Sequence, residues 1–256
     1  MISHRLDLAL PGGVEARVLF TSRGGTASGG SSRWPYAWAN LGSHVGDDPA
    51  AVISNRRALA EALGVPAGAM TFMHPDHGRG VAAVSEPTGV VPGAEITSVD
   101  ALVTTTAGIG LVALAADCVP VILVDPVAGV VGAVHSGWRG VALDVVGAAV
   151  AEMVASGARQ KDIRAHLGPA ICGSCYPVPA ERAAEVVLVR PEAVTTAPDG
   201  QPALDLRAGL VARLDELGTT STLVGGCTAE DPGLYSHRRD GQTGRQGAAV
   251  AIVAAA

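Results

Sequence analysis

The sequence is poor in charge and lacks any stretch rich in Lys or Arg. Charged types make up only 16 % of the residues and the formal net charge is −6, so the basic patch expected of a nucleic-acid-binding or peripheral membrane protein is missing. Nor does any apolar stretch of about 18 residues run without Gly, Pro or charge, as a transmembrane helix requires. His4, Arg5 and Asp7 interrupt the apolar core that a signal peptide needs. We therefore expect a cytoplasmic protein without nucleic-acid or membrane partners.

Cysteine is also scarce. The four cysteines are Cys118, Cys172, Cys175 and Cys227, and a chain of this length needs no disulfide for stability. We expect them to be thiols or metal ligands. Apolar types make up 48 % of the residues, which is enough for a sizeable core and far from the composition of a disordered chain. Residues 1–256 are expected to form a single domain.

Hydrophobic periodicity and turn residues predict interleaved strands and helices. Asp48 as N-cap, Pro49 at the first helical position and Gly64 as a stop predict a helix over 48–63, and the glycine-rich stretch 23–32 predicts a mobile loop. Further strands are predicted at 15–22, 101–106, 109–116, 119–125, 129–136, 163–169 and 246–254, and further helices at 139–156, 179–189 and 205–217. Because a regular βαβ alternation is missing, we expect an α+β fold with a substantial mixed sheet.

Two ionisable side chains lie at the ends of neighbouring predicted strands. His135 ends the strand 129–136, and Cys118 immediately precedes the strand 119–125. An antiparallel return between these two strands would bring Cys118 and His135 together. Each residue also has a purely structural interpretation. A buried His is often satisfied by a backbone carbonyl, and free Cys is among the most buried residue types.

A third segment adds possible metal ligands. It holds His74, Asp76 and His77 within four positions. A Cys thiolate and two imidazoles form a standard ligand set for a catalytic zinc, which keeps a fourth position open for water or substrate. Together with Cys118 and His135, this segment therefore predicts a metal centre built from ligands that are distant in sequence.

Several segments, taken together and in this order, resemble the laccase-domain family of purine nucleoside phosphorylases, the YfiH-like proteins that are also labelled polyphenol oxidases. The segments are FTSRGG (20–25), NLGSHVGDDPAAVISNRRALAEALG (40–64), the His-Gly pair at 77–78, DALVTT (100–105), ADCVPVILVDP (116–126), GAVHSGWRG (132–140), LGPAICGSCYPV (167–178), LDL (204–206) and SHRRDGQTGR (236–245). The resemblance covers nearly the whole chain. It implies a layered α-β-β-α sandwich with mixed sheets.

The resemblance also implies a metal site and an activity. The family's His, Cys and His ligands match His77, Cys118 and His135, which would act as both metal ligands and catalytic residues, with zinc as the expected ion and copper as the alternative. The implied reaction is phosphorolysis of adenosine, inosine, guanosine or methylthioadenosine, with adenosine deamination as a further activity, so the expected partners are purine nucleosides and phosphate. One departure is Pro75-Asp76, where the family usually has Gln-Val.

Phosphorolysis requires cationic and polar groups around an anionic nucleophile. The candidates for substrate binding lie in the motif-bearing turns and are Arg23, Asn40, Asp117, Arg139, Arg238, Arg239 and Arg245, with His237 beside them. Each arginine could instead be a structural salt-bridge donor, and Asp117 could be a buried cap. The Cys-Gly-Ser-Cys stretch 172–175 has the spacing of a redox pair or of half a zinc knuckle. Since a second such pair is missing from the sequence, we interpret these two cysteines as structural or incidental thiols.

Three alternatives to a phosphorylase remain open on the sequence. A multicopper oxidase would use more imidazoles than seven His residues in this arrangement provide. A metal-free thiol hydrolase would use His135 to activate Cys118 as a nucleophile. A non-catalytic nucleoside-binding protein would keep the fold and lose the activity, and the departure at Pro75-Asp76 is the one hint of this. Metal content and base release distinguish these possibilities.

Overall fold

The computed structural model describes residues 1–24 and 30–255. Part of the predicted glycine-rich loop, residues 25–29, lies outside the described residues. The strands are β1 Ile2–Leu10, β2 Val14–Thr21, β3 Met70–His74, β4 Val81–Ala83, β5 Ile96–Thr97, β6 Ala101–Thr104, β7 Gly110–Ala115, β8 Val119–Asp125, β9 Val130–Ser136, β10 Arg164–Leu167, β11 Val194–Thr196, β12 Pro202–Leu204, β13 Thr220–Leu223 and β14 Gln246–Ala254. The helices are α1 Pro49–Leu63, α2 Trp138–Leu143, α3 Val145–Ala155, α4 Ala180–Val187, α5 Leu206–Glu216 and α6 His237–Asp240.

Two six-stranded sheets contain most of the strands. The first has the order β1-β2-β14-β7-β3-β5 and the second the order β13-β10-β8-β9-β6-β4, while β11 and β12 form a separate pair. Both large sheets are mixed. In the first, β14 pairs with β7 antiparallel and β7 with β3 parallel; in the second, β8 and β9 form an antiparallel hairpin and β10 pairs with β13 in parallel. This arrangement confirms the prediction of strands and helices around substantial mixed sheets.

The two sheets pack face to face and share one apolar core. Alternate residues of β14 point to opposite faces, as strand geometry requires. Val250 therefore packs toward the second sheet with Ile122 and Val131, while Ala249 and its neighbours face the other side of the first sheet. Because β14 is covered on both faces, its sequence is apolar at nearly every position.

Helices cover the outer face of each sheet. Leu59 and Leu63 of α1 pack on the first sheet in a cluster with Phe72 and Val112. Helices α2 to α5 bury their apolar residues against the outer face of the second sheet, in a cluster that includes Met153. The order of layers is therefore helix, sheet, sheet, helix, which confirms the fold class that the sequence resemblance implied.

Helix α1 forms as its sequence signals predict. Asp48 caps it by accepting a hydrogen bond from the backbone N–H of Ala50 at 2.9 Å, and Pro49 occupies the first helical position, where a missing N–H costs nothing. Gly64 ends it at a φ of 84°, a left-handed conformation that favours glycine. The strands predicted between 101 and 136 and at 246–254 are likewise confirmed.

The prediction of one helix over 139–156 is wrong in one respect, because the segment forms two helices. Asp144 adopts a φ of 62° and ends α2, and its carboxylate then caps α3 by accepting from the N–H of Gly147. The same carboxylate pairs with Arg213 at 2.8 Å, which holds the break in place. The predicted apolar stripe is nevertheless buried on both sides of the break.

The two ends of the sandwich differ. At one end β3 and β7 end, and the chain crosses there from β3 to β4 and from β7 to β8, while it crosses back from β6 to β7 at the opposite end. At the other end tight turns join neighbouring strands, with Gly12 and Gly13 between β1 and β2 and Gly129 between β8 and β9, all at positive φ. Within the described part of the chain, no helix is both long enough and apolar enough to cross a membrane.

Candidate metal centre

Two of the three predicted ligands lie in connections and the third lies near the end of a strand, all at the end of the sandwich where β3 and β7 end. Cys118 follows β7, His77 follows β3, and His135 is the penultimate residue of β9. Their candidate ligand atoms all lie within 4.8 Å of one another. Cys118 Sγ is 3.8 Å from His77 Nε2, and the two imidazole rings are nearly perpendicular with centroids 4.8 Å apart. The predicted hairpin between β8 and β9 places His135 opposite Pro120, which explains the proximity of Cys118.

The backbone around these ligands is shaped for their convergence. His77 and Asp117 both adopt positive φ angles, 61° and 87°, a strained conformation for residues with a side chain that is concentrated at functional sites. Gly137 leaves room for the ligands. A Cβ atom at that position would lie 2.9 Å from His77 Cδ2 and 3.0 Å from Cys118 Sγ. Any larger residue would therefore displace a ligand.

Asp100 holds two of the three ligands in place. It is completely buried at the start of β6. Its Oδ1 accepts from His135 Nδ1 at 2.9 Å and from the backbone N–H of His77 at 3.1 Å, and its Oδ2 accepts from the N–H of Gly78 at 2.7 Å. A carboxylate bonded to Nδ1 leaves Nε2 as the metal-binding nitrogen and makes it a better donor. This role of Asp100 was not predicted from the sequence, although an acidic residue directly before a buried strand was a usable signal.

The charges of these groups stabilise a thiolate. Burial would raise the pKa of Cys118, but the neighbouring imidazoles, chiefly His135, lower it to about 6. Burial would likewise lower the pKa of His135, but the Cys118 thiolate and Asp100 raise it to about 9. Burial would raise the pKa of Asp100, but the hydrogen bond from His135 lowers it to about 2. Since thiolate is the form that binds metals, Cys118 is prepared as a ligand at neutral pH.

The donor set and its geometry fit zinc. Zn–S and Zn–N bonds in a tetrahedral site place the sulfur and nitrogen about 3.6 Å apart, close to the 3.8 Å between Cys118 Sγ and His77 Nε2. Three protein ligands leave the fourth position open, which is the pattern of catalytic and not of structural zinc sites. His77 is exposed and His135 is buried, so the open position is accessible from one side.

These ligands border a cavity of about 520 Å³, a size suited to a small-molecule ligand. The side chains that line it include two aromatic rings, three guanidinium groups and three further imidazoles. They are Trp138, Tyr176, Arg182, Arg238, Arg245, His44, His74 and His237. The cavity therefore offers flat apolar surfaces and positive charge beside the candidate metal centre.

The guanidinium groups of the cavity are held by stacking and by backbone carbonyls. Arg238 lies 4.7 Å above the Tyr176 ring and Arg182 lies 4.8 Å above the Trp138 ring. Arg245 donates to the carbonyls of residues 243 and 244 at 3.0 Å each. Burial lowers the pKa of Arg245, and the nearby Cys118 and Asp117 charges act against that effect. These contacts fix the positive charges without neutralising them with a partner carboxylate.

Four residues predicted to bind substrate do not line this cavity. Arg23 donates to the carbonyl of residue 37 at 2.8 Å, and Asn40 is fully buried and bonded to residues 42 and 47. Arg139 is exposed on α2. Arg239 donates to the carbonyls of residues 228, 231 and 234 and pairs with the neighbouring carboxylate of residue 240. Their positions do not support the prediction of substrate contact, because the polar atoms of Arg23, Asn40 and Arg239 are used within the fold and Arg139 lies outside the cavity lining.

Asp117 lines the cavity, yet both of its carboxylate oxygens already accept hydrogen bonds. Thr228 Oγ1 donates to one oxygen at 2.6 Å, and the backbone N–H of Arg238 donates to the other at 2.6 Å. Asp117 thus matches the buried-cap interpretation. Its function is to join the strand end that carries Cys118 to the segments around residues 228 and 238.

The departure from the family pattern at Pro75-Asp76 has a local explanation. Asp76 Oδ1 accepts from the backbone N–H of Gly78 at 3.1 Å and so supports the turn that carries His77. Pro75 lines the cavity. His74 lies against His44, with ring centroids 5.2 Å apart, and is therefore a cavity residue in addition to the three candidate ligands.

Replacing Asp100 by asparagine should lower the affinity for the metal by about 10- to 100-fold, the usual cost of losing a carboxylate that orients a ligand imidazole. Competition with a chromophoric zinc chelator measures the change. Asp125→Asn is a matched control, because Asp125 is also fully buried and accepts backbone N–H groups but lies at the opposite end of the sandwich. If both variants bound zinc equally well, Asp100 would have no orienting role.

Comparison with known proteins identifies the family. A family model described as multi-copper polyphenol oxidoreductase laccase matches residues 17–253. This chain belongs to that laccase family. A relative named purine nucleoside phosphorylase ORF3, from Streptomyces griseus, is 46 % identical over 246 residues and covers 96 % of each chain. The family predicted from the sequence motifs is thereby confirmed.

Solved structures of this laccase family share the fold. The crystal structure of the hypothetical protein YfiH of Bacillus licheniformis matches with a TM-score of 0.86 at 29 % identity, over 92 % of each chain. YlmD from Geobacillus stearothermophilus matches with a TM-score of 0.83 at 31 % identity, over 97 % of this chain and 99 % of that chain. The layered sandwich is therefore common to these proteins.

Proposed function

We propose that this laccase-family protein is a zinc-dependent purine nucleoside phosphorylase that cleaves adenosine, inosine, guanosine or methylthioadenosine with phosphate. The products would be the free base and ribose 1-phosphate or its methylthio derivative. The observation that carries the proposal is the convergence of His77, Cys118 and His135 beside a cationic and aromatic cavity. The name of the Streptomyces griseus relative supports the same reaction.

The residues of the cavity suit a nucleoside and an anion. When bound, zinc supplies a Lewis acid with an open position that attracts an anion or acidifies water. Arg238 and Arg245 would hold phosphate and offset its charge, so that one phosphate oxygen is directed at the ribose C1′. Tyr176 and Trp138 provide flat surfaces on which a purine can stack.

Phosphorolysis forms a bond from the phosphate oxygen to C1′ and breaks the bond from C1′ to the purine nitrogen. The departing base must then gain a proton. The imidazoles of His44, His74 and His237 line the same cavity. Burial, and then the charge of Arg245, lower the pKa of His44 to about 4, so His44 is neutral at physiological pH and accepts hydrogen bonds. We assign proton donation to the other two imidazoles.

Adenosine deamination to inosine is included in the proposal as a side activity. Water competes with phosphate for the same cavity, and the same cationic and aromatic groups would hold the nucleoside. Deamination should therefore be most evident when phosphate is absent.

The test is incubation of the purified protein with adenosine, with and without phosphate, followed by chromatography and metal analysis of the same sample. We expect adenine and ribose 1-phosphate to form in equal amounts, and only when phosphate is present. Base release that does not need phosphate would instead indicate a hydrolase. If a zinc-loaded protein released no base and formed no inosine, the proposal would be contradicted. That result would favour a nucleoside-binding protein.

Two further outcomes address the remaining alternatives. Copper in the purified protein, with oxidation of phenols and no base release, would favour the oxidase that the family description names. A metal-free protein that turns over while Cys118 is rapidly alkylated would favour a thiol hydrolase, in which His135 activates the sulfur.

A further inference from the structure

A second cluster of metal-binding side chains lies outside the cavity. Cys172 precedes and Cys175 ends a single turn that follows β10, and Cys227 and Glu230 lie on the segment after β13. The sulfur atoms and a carboxylate oxygen of these four residues all lie within 4.8 Å of one another. The Cys-x-x-Cys pair, which seemed isolated in the sequence, thus meets a third thiol and a carboxylate.

The individual contacts show that all four groups point toward one place. Glu230 Oε1 is 3.8 Å from Cys172 Sγ and 3.5 Å from Cys175 Sγ. Cys227 Sγ accepts a hydrogen bond from the backbone N–H of Cys172 at 3.3 Å. Cys227 is buried while Glu230 is exposed, so the cluster lies just below the surface and is open to an ion from solvent.

We propose that Cys172, Cys175, Cys227 and Glu230 hold a second zinc ion, in a structural site that is separate from the His77, Cys118 and His135 centre. Four protein donors close a tetrahedral site, which is the pattern of structural zinc. Zn–S bonds of about 2.3 Å place tetrahedral sulfur ligands about 3.8 Å apart, which agrees with donor atoms that all lie within 4.8 Å of one another. That spacing fits one ion and is too small for an iron–sulfur cluster.

The convergence of three sulfur atoms and a carboxylate on one place favours a cation over a disulfide. A disulfide would use two sulfur atoms and leave the third thiol and the carboxylate without a role. Glu230 Oε1 lies against the sulfur atoms of Cys172 and Cys175, and a carboxylate so close to thiolates is unfavourable unless a cation lies among them. Soft thiolate ligands select zinc among the common divalent ions of the cell. Arg239 adds positive charge nearby, since it donates to the carbonyls of residues 228 and 231 on either side of Glu230.

The proposed ion would fix one wall of the cavity. It would join the segment that follows β10 to a segment 55 residues later in the chain. The two segments already meet at the isolated bridge between Ala170 and Cys227. Tyr176, which lines the cavity, directly follows Cys175. Thr228, which directly follows Cys227, donates to Asp117 at 2.6 Å. Loss of this ion should therefore loosen the cavity wall as well as lower thermal stability.

The experiment counts metal in protein purified with zinc supplied, by native mass spectrometry and elemental analysis. We expect two zinc ions in the wild type, one in Cys118→Ala, and none in Cys118→Ala combined with Cys172→Ser and Cys175→Ser. Denatured protein treated with an alkylating agent should have all four thiols modified. Removal of zinc by a chelator should also lower the thermal stability of the wild type. The same treatment should lower the thermal stability of Cys172→Ser/Cys175→Ser by less.

Two results would overturn this second site. One is folded Cys118→Ala protein that retains no zinc. The other is a mass lower by one pair of hydrogens together with two thiols that resist alkylation, which would show a disulfide. If the cysteine variants do not fold, cobalt titration of the wild type tests the second site. A site with three thiolates gives a much stronger sulfur-to-cobalt charge-transfer band than a site with one, so a band of one-thiolate strength alone would overturn the proposal. Metal counting is independent of the nucleoside assay, so failure of either proposal is recognised separately.

Discussion

Replacing Cys118 by alanine should abolish zinc binding at the His77, Cys118 and His135 centre and lower phosphorolysis by more than about 100-fold. Loss of a residue that merely orients a ligand costs about 10- to 100-fold in metal affinity or activity, and removal of the sulfur ligand should cost more. Circular dichroism should be unchanged, because the half-buried Cys118 side chain lies in a connection and its truncation should cost only about 1 kcal/mol of stability.

Cys175→Ala is the matched control for this variant. It removes a thiol from the second cluster and should leave the first centre loaded with zinc. The measurement is zinc content together with the rate of adenine release at saturating phosphate. We expect each variant to hold one zinc ion fewer than the wild type, with the large loss of adenine release confined to Cys118→Ala. Unchanged activity in Cys118→Ala would show that Cys118 takes no part in the reaction, whereas loss of both zinc ions in either variant would show that the two clusters do not bind independently.

Replacing Gly137 by alanine should also disable the centre, although it removes no ligand. The added Cβ atom would lie 2.9 Å from His77 Cδ2 and 3.0 Å from Cys118 Sγ, distances at which one of the ligands must move. Gly137 has a φ of −86°, which alanine adopts without strain, so the effect should be confined to the ligands. We expect metal affinity to fall by about 100-fold or more, since displacing a ligand should exceed the cost of losing an orienting partner.

Gly68→Ala provides the comparison, because a Cβ atom there would meet nothing within 4 Å. Both variants should fold, and thermal denaturation checks this. Zinc affinity measured by chelator competition should then fall in Gly137→Ala alone. Wild-type affinity in Gly137→Ala would mean that the ligands do not converge as closely as the distances to Gly137 require.

Local features of the fold could be predicted because local chemistry decides them. The capped helix α1 and the apolar strands β7, β8, β9 and β14 follow from N-cap chemistry, Gly stops and runs of β-branched residues. The break at Asp144 could not be predicted in this way. It depends on Arg213, which lies far away in sequence and pairs with the Asp144 carboxylate at 2.8 Å, and tertiary contacts of this kind override helix propensity.

The candidate site was only partly predictable for the same reason. The sequence indicated the three candidate ligands by two routes. Cys118 and His135 lie at the ends of adjacent strands and must meet when those strands pair, and the family resemblance selected His77 from the segment that also holds His74 and Asp76. The sequence did not indicate which arginines enter the cavity, since Arg238 and Arg239 are neighbours and only Arg238 lines it. Nor could it assign Glu230 to the second cluster, because that contact depends on the packing of two segments that are far apart along the chain.

The turn at Gly129 and the candidate metal centre lie at opposite ends of the sandwich, and this separation has a practical consequence. Gly129 and His135 lie near opposite ends of β9, and a seven-residue strand extends about 23 Å. Loop tips are the positions where inserted peptides are best tolerated. An affinity peptide placed in the turn at Gly129 would attach the protein to a biosensor surface with its reaction cavity facing the solution.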